Sequence, residues 1–527
     1  MNEFDQAFLV PDGTDLQELK DRLEGTYRIG EDEPRQLWRR FNDTFDWSLY
    51  AAGKVLEEQV EGHQRQLIWR ELNNDTPLVA RPLEVDLGLA SDLPQEEDLQ
   101  PLVPLVGIRR LLPIIEIHSR CLSWRLLNED DKTVVRVELV ENRFEDKGRA
   151  RQGGLATRLR LQAVKGYEPE FRDTTRLLRD ELGLTQARTE ILLEALAAAG
   201  RKPADYSSQL DFRLEPDRRA DATAKEILLH LLNTIEINVA GTKANLDSEF
   251  LHDLRVAVRR TRSALSQIKE VFPADLVEQY KEAFGWLGEI TGPVRDLDVY
   301  LLDFNDYQAS LPETLRPHLE PLRDFILDHY GGEQQALVAH LDSKRFHDLL
   351  GDWRAFLEAP VPERSVVPNA MRPVKAVADE RIWSMYKRVR KEGLAMTPQS
   401  PPEDMHELRK SCKKLRYLIE FFDSLYPRPE VRQLVKLLKV LLDNLGNFQD
   451  LAVQAGHLRD MAQRMRDEER ASTDTLLTMG VLVGHLLEQQ HQAREEFAEI
   501  FANFDSDAHQ NLFRTLFAPQ KRGGKGA

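Results

Sequence analysis

The sequence predicts an α+β domain at the N-terminus followed by an all-α, duplicated helical domain. Short apolar runs that alternate with polar residues characterise the first 200 residues, as expected for half-buried strands. From residue 220 onward, apolar residues recur with the 3.6-residue period of helices. In that second part, residues of the same type also recur at a constant offset of 154 positions. We therefore expect the helical part to contain an internal repeat.

Length and charge limit the possible functions. A chain of 527 residues is too long for one ordinary core, so we expect two or three domains. The net charge of −17 argues against a general nucleic-acid-binding protein, which would be basic overall. It still permits a local cationic channel inside an acidic exterior, which would concentrate one kind of polyanion within the channel.

The sequence predicts neither a cysteine-based site nor a membrane segment. Its two cysteines, Cys121 and Cys412, form no disulfide framework and no zinc-binding spacing. The start MNEFDQAFLV lacks a charged and then apolar leader, and no run of 18 apolar residues follows. We expect a cytoplasmic protein without membrane contact.

In the N-terminal part, two stretches predict strands, 134–140 and 155–164. Residues 15–23 and 172–182 predict helices, and the proline-rich, acidic stretch 94–104 predicts a loop. Residues 202–219 combine prolines, serines and charges with little periodicity, which favours a linker.

The helical part shows five clear periodic segments: 227–237, 251–272, 276–287, 294–307 and 319–330. Proline-rich residues 360–373 separate the two repeats, and a second break at 393–402 precedes a basic segment. Residues 497–517 are expected to complete the bundle. The predicted organisation is an N-terminal domain (1–201), a linker (202–219), a helical domain (220–516) with repeats 220–359 and 374–516, and a disordered tail (517–527).

One helix of the first repeat carries cations along a single face. On a helical wheel, four residues fall within roughly 80° of one another: His252, Arg255, Arg259 and Arg262. A separate apolar stripe would face the core: Leu254, Val258, Thr261 and Leu265.

The second repeat carries the same arrangement 154 residues later. Its basic face is His406, Arg409, Lys413 and Arg416, and its apolar stripe is Leu408, Cys412, Leu415 and Ile419. The stretch Gly292-x-x-x-Asp296-Leu297 also recurs, as Gly446-x-x-x-Asp450-Leu451. Like charges three and four residues apart repel each other on a helix. Two basic faces in the same register therefore indicate a function that compensates for the repulsion.

These motifs resemble those of the CHAD family (conserved histidine α-helical domain). The pattern E-x-x-H-x-x-R-x-x-x-[RK]-[RK]-x-R, followed some 30 residues later by G-x-x-x-D-L, occurs twice. The resemblance covers roughly residues 220–516 and implies a duplicated helical bundle that binds inorganic polyphosphate. The family usually has a leucine before the motif glycine; Leu445 agrees with this pattern and Thr291 does not. We expect that departure to affect packing more than the basic face.

The expected phosphate contacts follow from the basic faces and from the resemblance. The main contacts are Arg255, Arg259, Arg262, Arg409, Lys413 and Arg416, and a second row comprises Arg260, Lys410 and Lys414. Lys439 matches a family lysine where the first repeat has Gly285. His252 and His406 could be metal ligands or bases, but hydrogen bonding to phosphate or a carboxylate is favoured because Glu407 replaces Asp253 in the second copy. Asp296 and Asp450 are expected to orient arginines.

The N-terminal part is similar to the CYTH family of triphosphate-tunnel proteins. The similarity lies in Phe41 to Asp46 with Leu49 and Ala52-Gly53, and in Val164 to Phe171. It implies an antiparallel, tunnel-like barrel. Catalytic members begin with E-x-E-x-K, whereas this chain has Glu3-Phe4-Asp5-Gln6-Ala7, and residues 159–162 lack paired carboxylates for a metal. We therefore expect a degenerate domain.

The sequence thus favours a non-catalytic protein that binds inorganic polyphosphate and requires no cofactor or metal ion. The alternative is a metal-dependent triphosphatase or nucleotidyl cyclase that uses the N-terminal tunnel. A third hypothesis, which overlaps the first, is a scaffold that recruits proteins to polyphosphate granules.

Overall fold

The structure, a computed structural model, describes residues 5–519 except 12, 75, 95, 209, 211 and 212. It consists of two compact units, Met1–Ser207 and Ser208–Ala527. Glu3 and Phe4 of the expected catalytic motif lie outside the described residues. So does most of the predicted tail, from residue 520 onward, whereas Phe517 ends the last helix.

The first unit contains, within its described residues, one antiparallel sheet of eleven strands. The strands are β1 (Asp5–Val10), β2 (Arg28–Glu31), β3 (Arg35–Thr44), β4 (Lys54–Glu61), β5 (Gln64–Glu71), β6 (Pro77–Pro82), β7 (Leu111–Leu127), β8 (Thr133–Asp146), β9 (Arg151–Gly154), β10 (Thr157–Ala163) and β11 (Thr185–Gln186). The paired strands follow the order β11-β1-β10-β8-β7-β3-β4-β5-β6, with β2 on β7 and β9 on β8. The predicted antiparallel α+β unit is confirmed.

Short helices connect these strands. They are α1 (Leu16–Glu24), α2 (Ser48–Ala51), α3 (Val103–Val106), α4 (Glu168–Arg176) and α5 (Ile191–Ala198). The prediction of a plain loop at 94–104 was wrong, because a 3-10 turn (Glu97–Leu102) leads directly into α3. Proline is compatible with the first turn of a helix, where its missing N–H has no helical partner, so Pro104 does not prevent α3.

The second unit is helical. Its helices are α6 (Ala220–Lys243), α7 (Ser248–Gln267), α8 (Ala274–Ile290), α9 (Gly292–Leu302), α10 (Phe304–Ser310), α11 (Glu320–Leu341), α12 (Lys344–Glu358), α13 (Val374–Leu394), α14 (Pro402–Phe421), α15 (Arg428–Asp467), α16 (Thr473–Phe504) and α17 (Asp507–Phe517). The described residues of 202–219 contain neither a helix nor a strand.

The duplication is visible in the helix bounds. Helices α7 and α14 are both 20 residues long, and both of their ends differ by the 154-residue offset. Helices α6 and α13 begin at equivalent residues, as do α8 and α15. The sequence pattern therefore located the same three helices in each repeat.

Two reciprocal backbone hydrogen bonds relate the repeats. The Ala220 amide donates to the Arg372 carbonyl over 2.9 Å, and the Val374 amide donates to the Arg218 carbonyl over 2.8 Å. Each residue of one bond is equivalent to a residue of the other, so exchanging the repeats reproduces the pair. Such reciprocal contacts are the signature of a two-fold relation, here within one chain.

The repeats differ where the motif glycine lies. In the first repeat the helix is interrupted between α8 and α9, and Pro293 follows the break. Proline lacks the N–H needed to continue a helix and clashes with the preceding turn. The second repeat has Asn447 at the equivalent position, and α15 runs unbroken for 40 residues. The predicted single helix over 294–307 was also wrong, because the chain breaks between α9 and α10.

The predicted apolar stripes are confirmed as core. Leu254 and Leu408 have no exposed surface, and the other apolar members of both stripes lie in the same buried cluster. Thr261 is also buried, and its hydroxyl donates to the Ala257 carbonyl over 3.0 Å. The basic faces of α7 and α14 therefore point away from this core.

We expect Leu254→Ala and Leu408→Ala each to lower the free energy of unfolding by about 2–5 kcal/mol, because each leaves a cavity in the core. Urea unfolding followed by circular dichroism measures this change. The control is Leu477→Ala on α16, whose side chain is 63% exposed and whose loss should cost at most about 0.5 kcal/mol. A Leu408→Ala variant as stable as this control would contradict the assigned core.

Candidate polyanion-binding groove

The basic faces of α7 and α14 border two adjoining cavities of the helical unit. The first cavity has a volume of about 720 Å³ and the second about 830 Å³. Both are lined by Arg259 and Lys413, which are equivalent residues of the two repeats. Because α7 packs on α14, the duplicated cations meet where the cavities adjoin.

The second cavity is strongly basic. Its seven cationic residues are Arg259, Arg262, Lys281, Arg345, Lys410, Lys413 and Lys414, and its three acidic residues are Glu278, Glu282 and Glu289. A concave surface with this excess of positive charge concentrates anions from solution.

The first cavity is lined by equivalent residues from both repeats and has a mixed charge. Its equivalent pairs are Arg255 with Arg409, Arg259 with Lys413, Asp296 with Asp450, Val299 with Val453, Tyr300 with Gln454 and Asp303 with His457. Arg295, Asp306, His252 and His485 also line it. The arginines and the lysine lie on or beside α7 and α14, whereas Asp303 and Asp306 lie farther along the chain, after α9 and on α10.

Arg409 is held by a carboxylate. Its two terminal nitrogens each donate to an oxygen of Asp450 over 2.8 Å. This two-point contact fixes the plane of the guanidinium. The expectation that Asp450 orients an arginine is confirmed.

Arg255 is held differently. Its Nη1 donates to the Gly288 carbonyl over 3.0 Å and to the Thr291 hydroxyl over 2.9 Å. The expectation that Thr291 affects packing rather than the basic face was therefore wrong, because its hydroxyl directly positions an arginine of that face. Burial and the neighbouring Arg259 lower the pKa of Arg255, an effect that Asp296 opposes.

Lys413 is half-buried among cations. Burial, together with the neighbouring Arg409 and Arg259, lowers the pKa of its ammonium to about 8, against the attraction of Asp450. The protonated lysine therefore destabilises the protein without a ligand. An anion bound at this position would reverse that effect.

Several other predicted residues also line the cavities. Arg262, Lys410 and Lys414 line the second cavity, and His252 lines the first. Lys410 also pairs with Glu407 at 2.7 Å on the exposed side of α14. Burial lowers the pKa of Lys414, and Arg388 and Lys410 add to the effect.

Two predicted arginines are directed elsewhere. Arg260 donates to the Ser208 carbonyl over 2.8 Å and to Glu420 over 3.2 Å, and Arg416 donates to Glu420 over 2.6 Å. Neither arginine is among the residues that line the cavities. For Arg416 the reason is local, because Glu420 lies one helical turn later, whereas Ser266 follows the equivalent Arg262. Arg260 reaches the same Glu420 from α7, through a long-range contact.

His406 and Lys439 are likewise not among the lining residues of these cavities. His406 is half-buried, and its buried Nδ1 forms no hydrogen bond with any residue that the structure describes. Lys439 is exposed on α15. In the first repeat the equivalent Gly285 does line the second cavity, so the two repeats present different surfaces to it.

Sequence reasoning missed five basic lining residues: Arg295, Lys281, Arg345, His457 and His485. Arg295 had a signal, because it lies inside the Gly292-x-x-x-Asp296 motif. The spacing of Asp296, Tyr300, Asp303 and Tyr307 at three or four residues also placed them on one face. Lys281, Arg345 and His485 come from α8, α12 and α16, and only tertiary packing brings them to the groove.

In the first unit, charged groups are paired with one another. Arg160 binds both oxygens of Asp5 over 2.8 and 2.6 Å, and the strand register places Ala7 opposite Arg160. The buried Arg70 contacts Glu57 at 2.6 Å and Glu190 at 2.7 Å. Asp5 is thus neutralised by an arginine.

In the described part of the chain, one group of three residues has ligand atoms spaced closely enough for a metal ion: Glu116, His118 and Glu145. Glu116 already accepts hydrogen bonds from Arg40 over 3.1 Å and Lys147 over 3.0 Å. These cations lower the pKa of Glu116 against the effect of burial. Its charge is therefore balanced by protein groups.

Residues 226–459 match the family model described as the CHAD domain. An uncharacterized protein of Mycobacterium tuberculosis is 27% identical over 269 residues, which make up 48% of each chain. This chain thus spans about half the length of the curated relatives that it matches.

Two solved structures are among those to which this chain is similar. The CHAD domain from the plant Ricinus communis is 25% identical with a TM-score of 0.46, covering 60% of this chain and 98% of that domain. The protein HpAC1 from Hippeastrum, described as having a dominant triphosphatase activity, is 13% identical with a TM-score of 0.27, covering 38% of this chain and 99% of its own.

Over the residues that the structure describes, no helix combines the length and the apolar character needed to cross a bilayer.

We expect Lys413→Met to raise the free energy of unfolding at pH 7 by about 1–3 kcal/mol, because it removes a half-buried cation while keeping a long apolar side chain. The folded pKa of about 8 lies below the usual lysine value near 10.4, so the unfolded chain binds the extra proton between these values. Wild-type stability should therefore rise with pH across this window, and the advantage of the variant should disappear there.

Urea unfolding at several pH values measures this effect. The matched control is Lys436→Met on α15, where the lysine is exposed. Equal stabilisation by both substitutions, or an advantage that persists above the window, would show that the charge of Lys413 is not the cause.

Proposed function

We propose that the CHAD domain of this protein, residues 226–459, binds inorganic polyphosphate in the groove formed by the two cavities. We also propose that it does not act chemically on the bound polyphosphate. The observation that carries the proposal is the meeting of Arg259 and Lys413, equivalent cations of two repeats, where both cavities adjoin. A single polyanion lying across this point would contact both repeats.

The chemistry of the groove suits a linear chain of phosphates. Arginine presents a planar fork that can bind two phosphate oxygens at once, and lysine adds a compact charge. Ten residues of helix span about 15 Å, so each basic face can follow several phosphates. Bound phosphates would also relieve the repulsion between Arg259, Lys413 and Arg409, which the protein bears in the absence of a ligand.

Two observations favour polyphosphate over single-stranded nucleic acid. The chain as a whole carries a net charge of −17, which disfavours general nucleic-acid binding. Recognition of single strands also depends on stacking of bases on aromatic rings. In the second cavity, the ring of Trp286 is covered by the Arg345 guanidinium, 4.1 Å from the ring centroid.

We expect Arg259→Glu and Lys413→Glu each to weaken the binding of long-chain polyphosphate by at least about tenfold, because each replaces an attraction with a repulsion in a partly buried site. For wild type, the logarithm of the affinity should fall with the logarithm of salt by about 0.7 per phosphate neutralised, by analogy with single-stranded nucleic acids. Calorimetric titration over a salt series measures both quantities.

The control for this experiment is Arg432→Glu, an equal change of charge at an exposed position of α15 away from both cavities. Far-UV circular dichroism should be unchanged in all three variants. If Lys413→Glu binds polyphosphate as tightly as wild type does, the site is restricted to the first repeat. If the affinity of wild type for polyphosphate does not change with salt, the electrostatic groove is refuted.

We also propose that the first unit hydrolyses no triphosphate. Two residues support this proposal. Arg160 donates hydrogen bonds to both oxygens of the Asp5 carboxylate, and Ala7 lies where the catalytic family has a lysine. A carboxylate that is already paired is a poor ligand for a divalent ion.

The full-length protein should therefore release no phosphate from tripolyphosphate or ATP with magnesium or manganese. Phosphate release is measured colorimetrically, with Arg160→Ala as the informative variant because it exposes Asp5. Metal-dependent turnover by wild type that a chelator abolishes would favour the alternative, a triphosphatase.

A further inference from the structure

The end of the first cavity farthest from the second one differs in chemistry from the rest of the groove. We define this far end by Tyr300, Asp303, Tyr307, His457 and His485. Nearer the basic helices, equivalent positions of the two repeats keep their charge, as in Arg255 with Arg409 and Asp296 with Asp450. At the far end this equivalence is lost, because Asp303 faces the cavity in one repeat and His457 in the other. The far end therefore offers an acceptor on one wall and an imidazole on the opposite wall.

Tyr307 adds a donor to this end. The residue is only 7% exposed and lines the cavity, and its buried hydroxyl faces the Asp303 carboxylate without a well-formed hydrogen bond to any described residue. Burial and then the nearby Asp303 carboxylate raise the pKa of the Tyr307 phenol, so the hydroxyl keeps its proton. A buried hydroxyl in a poorly formed hydrogen bond is costly, and a better-placed ligand acceptor would reduce that cost.

Carboxylates are unexpected in a site for a polyanion, and their presence restricts the kind of phosphate that fits. An interior phosphate of a condensed chain has no proton near neutral pH, so a carboxylate repels it. A terminal phosphate has a second ionisation near pH 6, like a phosphate monoester, and can carry a P–OH group. A carboxylate accepts a hydrogen bond from that group, while phenol and imidazole donate to the remaining oxygens.

We propose that the far end binds the protonated terminal phosphate of a linear polyphosphate, so that the groove recognises a chain end as well as a charged backbone. In this arrangement Asp303 accepts a hydrogen bond from the terminal P–OH, and Tyr307 donates to a terminal oxygen. The following phosphates lie along the arginines and pass Arg259 and Lys413 into the second cavity. This inference rests on the proposed function above.

A divalent cation held by the acidic residues is less consistent with the geometry. Within the described residues, the group whose ligand atoms converge closely enough for a metal ion lies in the first unit, at Glu116, His118 and Glu145. The carboxylates of the far end do not form such a group. Burial and the neighbouring Asp306 raise the pKa of Asp303, which makes its carboxylate a stronger hydrogen-bond acceptor.

The test compares linear and cyclic phosphates with the same number of phosphorus atoms, because a ring has no terminal phosphate. Full-length protein is titrated with linear hexaphosphate and with cyclic hexametaphosphate near pH 6.5, in the presence of a chelator. The variants are Tyr307→Phe and Asp303→Asn, which remove one hydroxyl and one charge with little change in shape. The control is Asp460→Asn, an exposed α15 residue equivalent to Asp306 that is not among the lining residues of the cavity.

We expect wild type and the control to prefer the linear chain by about tenfold, the effect of one hydrogen bond to a charged group. Tyr307→Phe and Asp303→Asn should lose most of this preference for the linear chain. An equal affinity of wild type for ring and chain would overturn the inference, as would a preference that both variants retain. A preference that appears only with magnesium would also overturn it, in favour of a bound cation. If wild type binds no polyphosphate of any length, the proposed function itself fails.

Discussion

The central constraint on the helical unit is the electrostatic repulsion between two cationic helix faces that lie against each other. Arg259 and Lys413 meet where both cavities adjoin, and Arg255 and Arg409 lie one turn before them on the same faces. The apolar stripes of α7 and α14 determine this placement, because both stripes must be buried in the same core. The lowered pKa values of Arg255 and Lys413 show the resulting cost. An anionic ligand is the simplest compensation for it.

The two repeats carry equivalent basic faces that differ at a few positions. Glu420 draws Arg260 and Arg416 away from the cavities, whereas Ser266 leaves Arg262 to line the second one. Pro293 interrupts the helix of the first repeat, and the adjacent Thr291 becomes an acceptor for Arg255, a role that Asp450 fulfils for Arg409. The two ends of the groove therefore differ in charge, because one end is strongly basic and the other has both acidic and basic residues.

The first unit handles charge differently. Several of its arginines are paired with carboxylates of the same unit, as in Arg70 with Glu57 and Glu190, or Arg160 with Asp5. Removing one partner of such a buried pair is costly, since it leaves the other charge uncompensated. These pairs therefore contribute to the structure of the sheet.

The sequence alone determined the duplicated helices, their buried stripes and the cations on their opposite faces, because helical periodicity is a local property. It placed α7 and α14 in the same register and identified Leu254, Leu408, Arg259 and Lys413 correctly as stripe and face. It could not decide which cations share a cavity. That depends on long-range contacts: Glu420 with Arg260, Thr291 with Arg255, and the approach of Arg345 and His485 from α12 and α16. Residues distant in the chain meet only when the core packs, so tertiary structure alone selected the members of the groove.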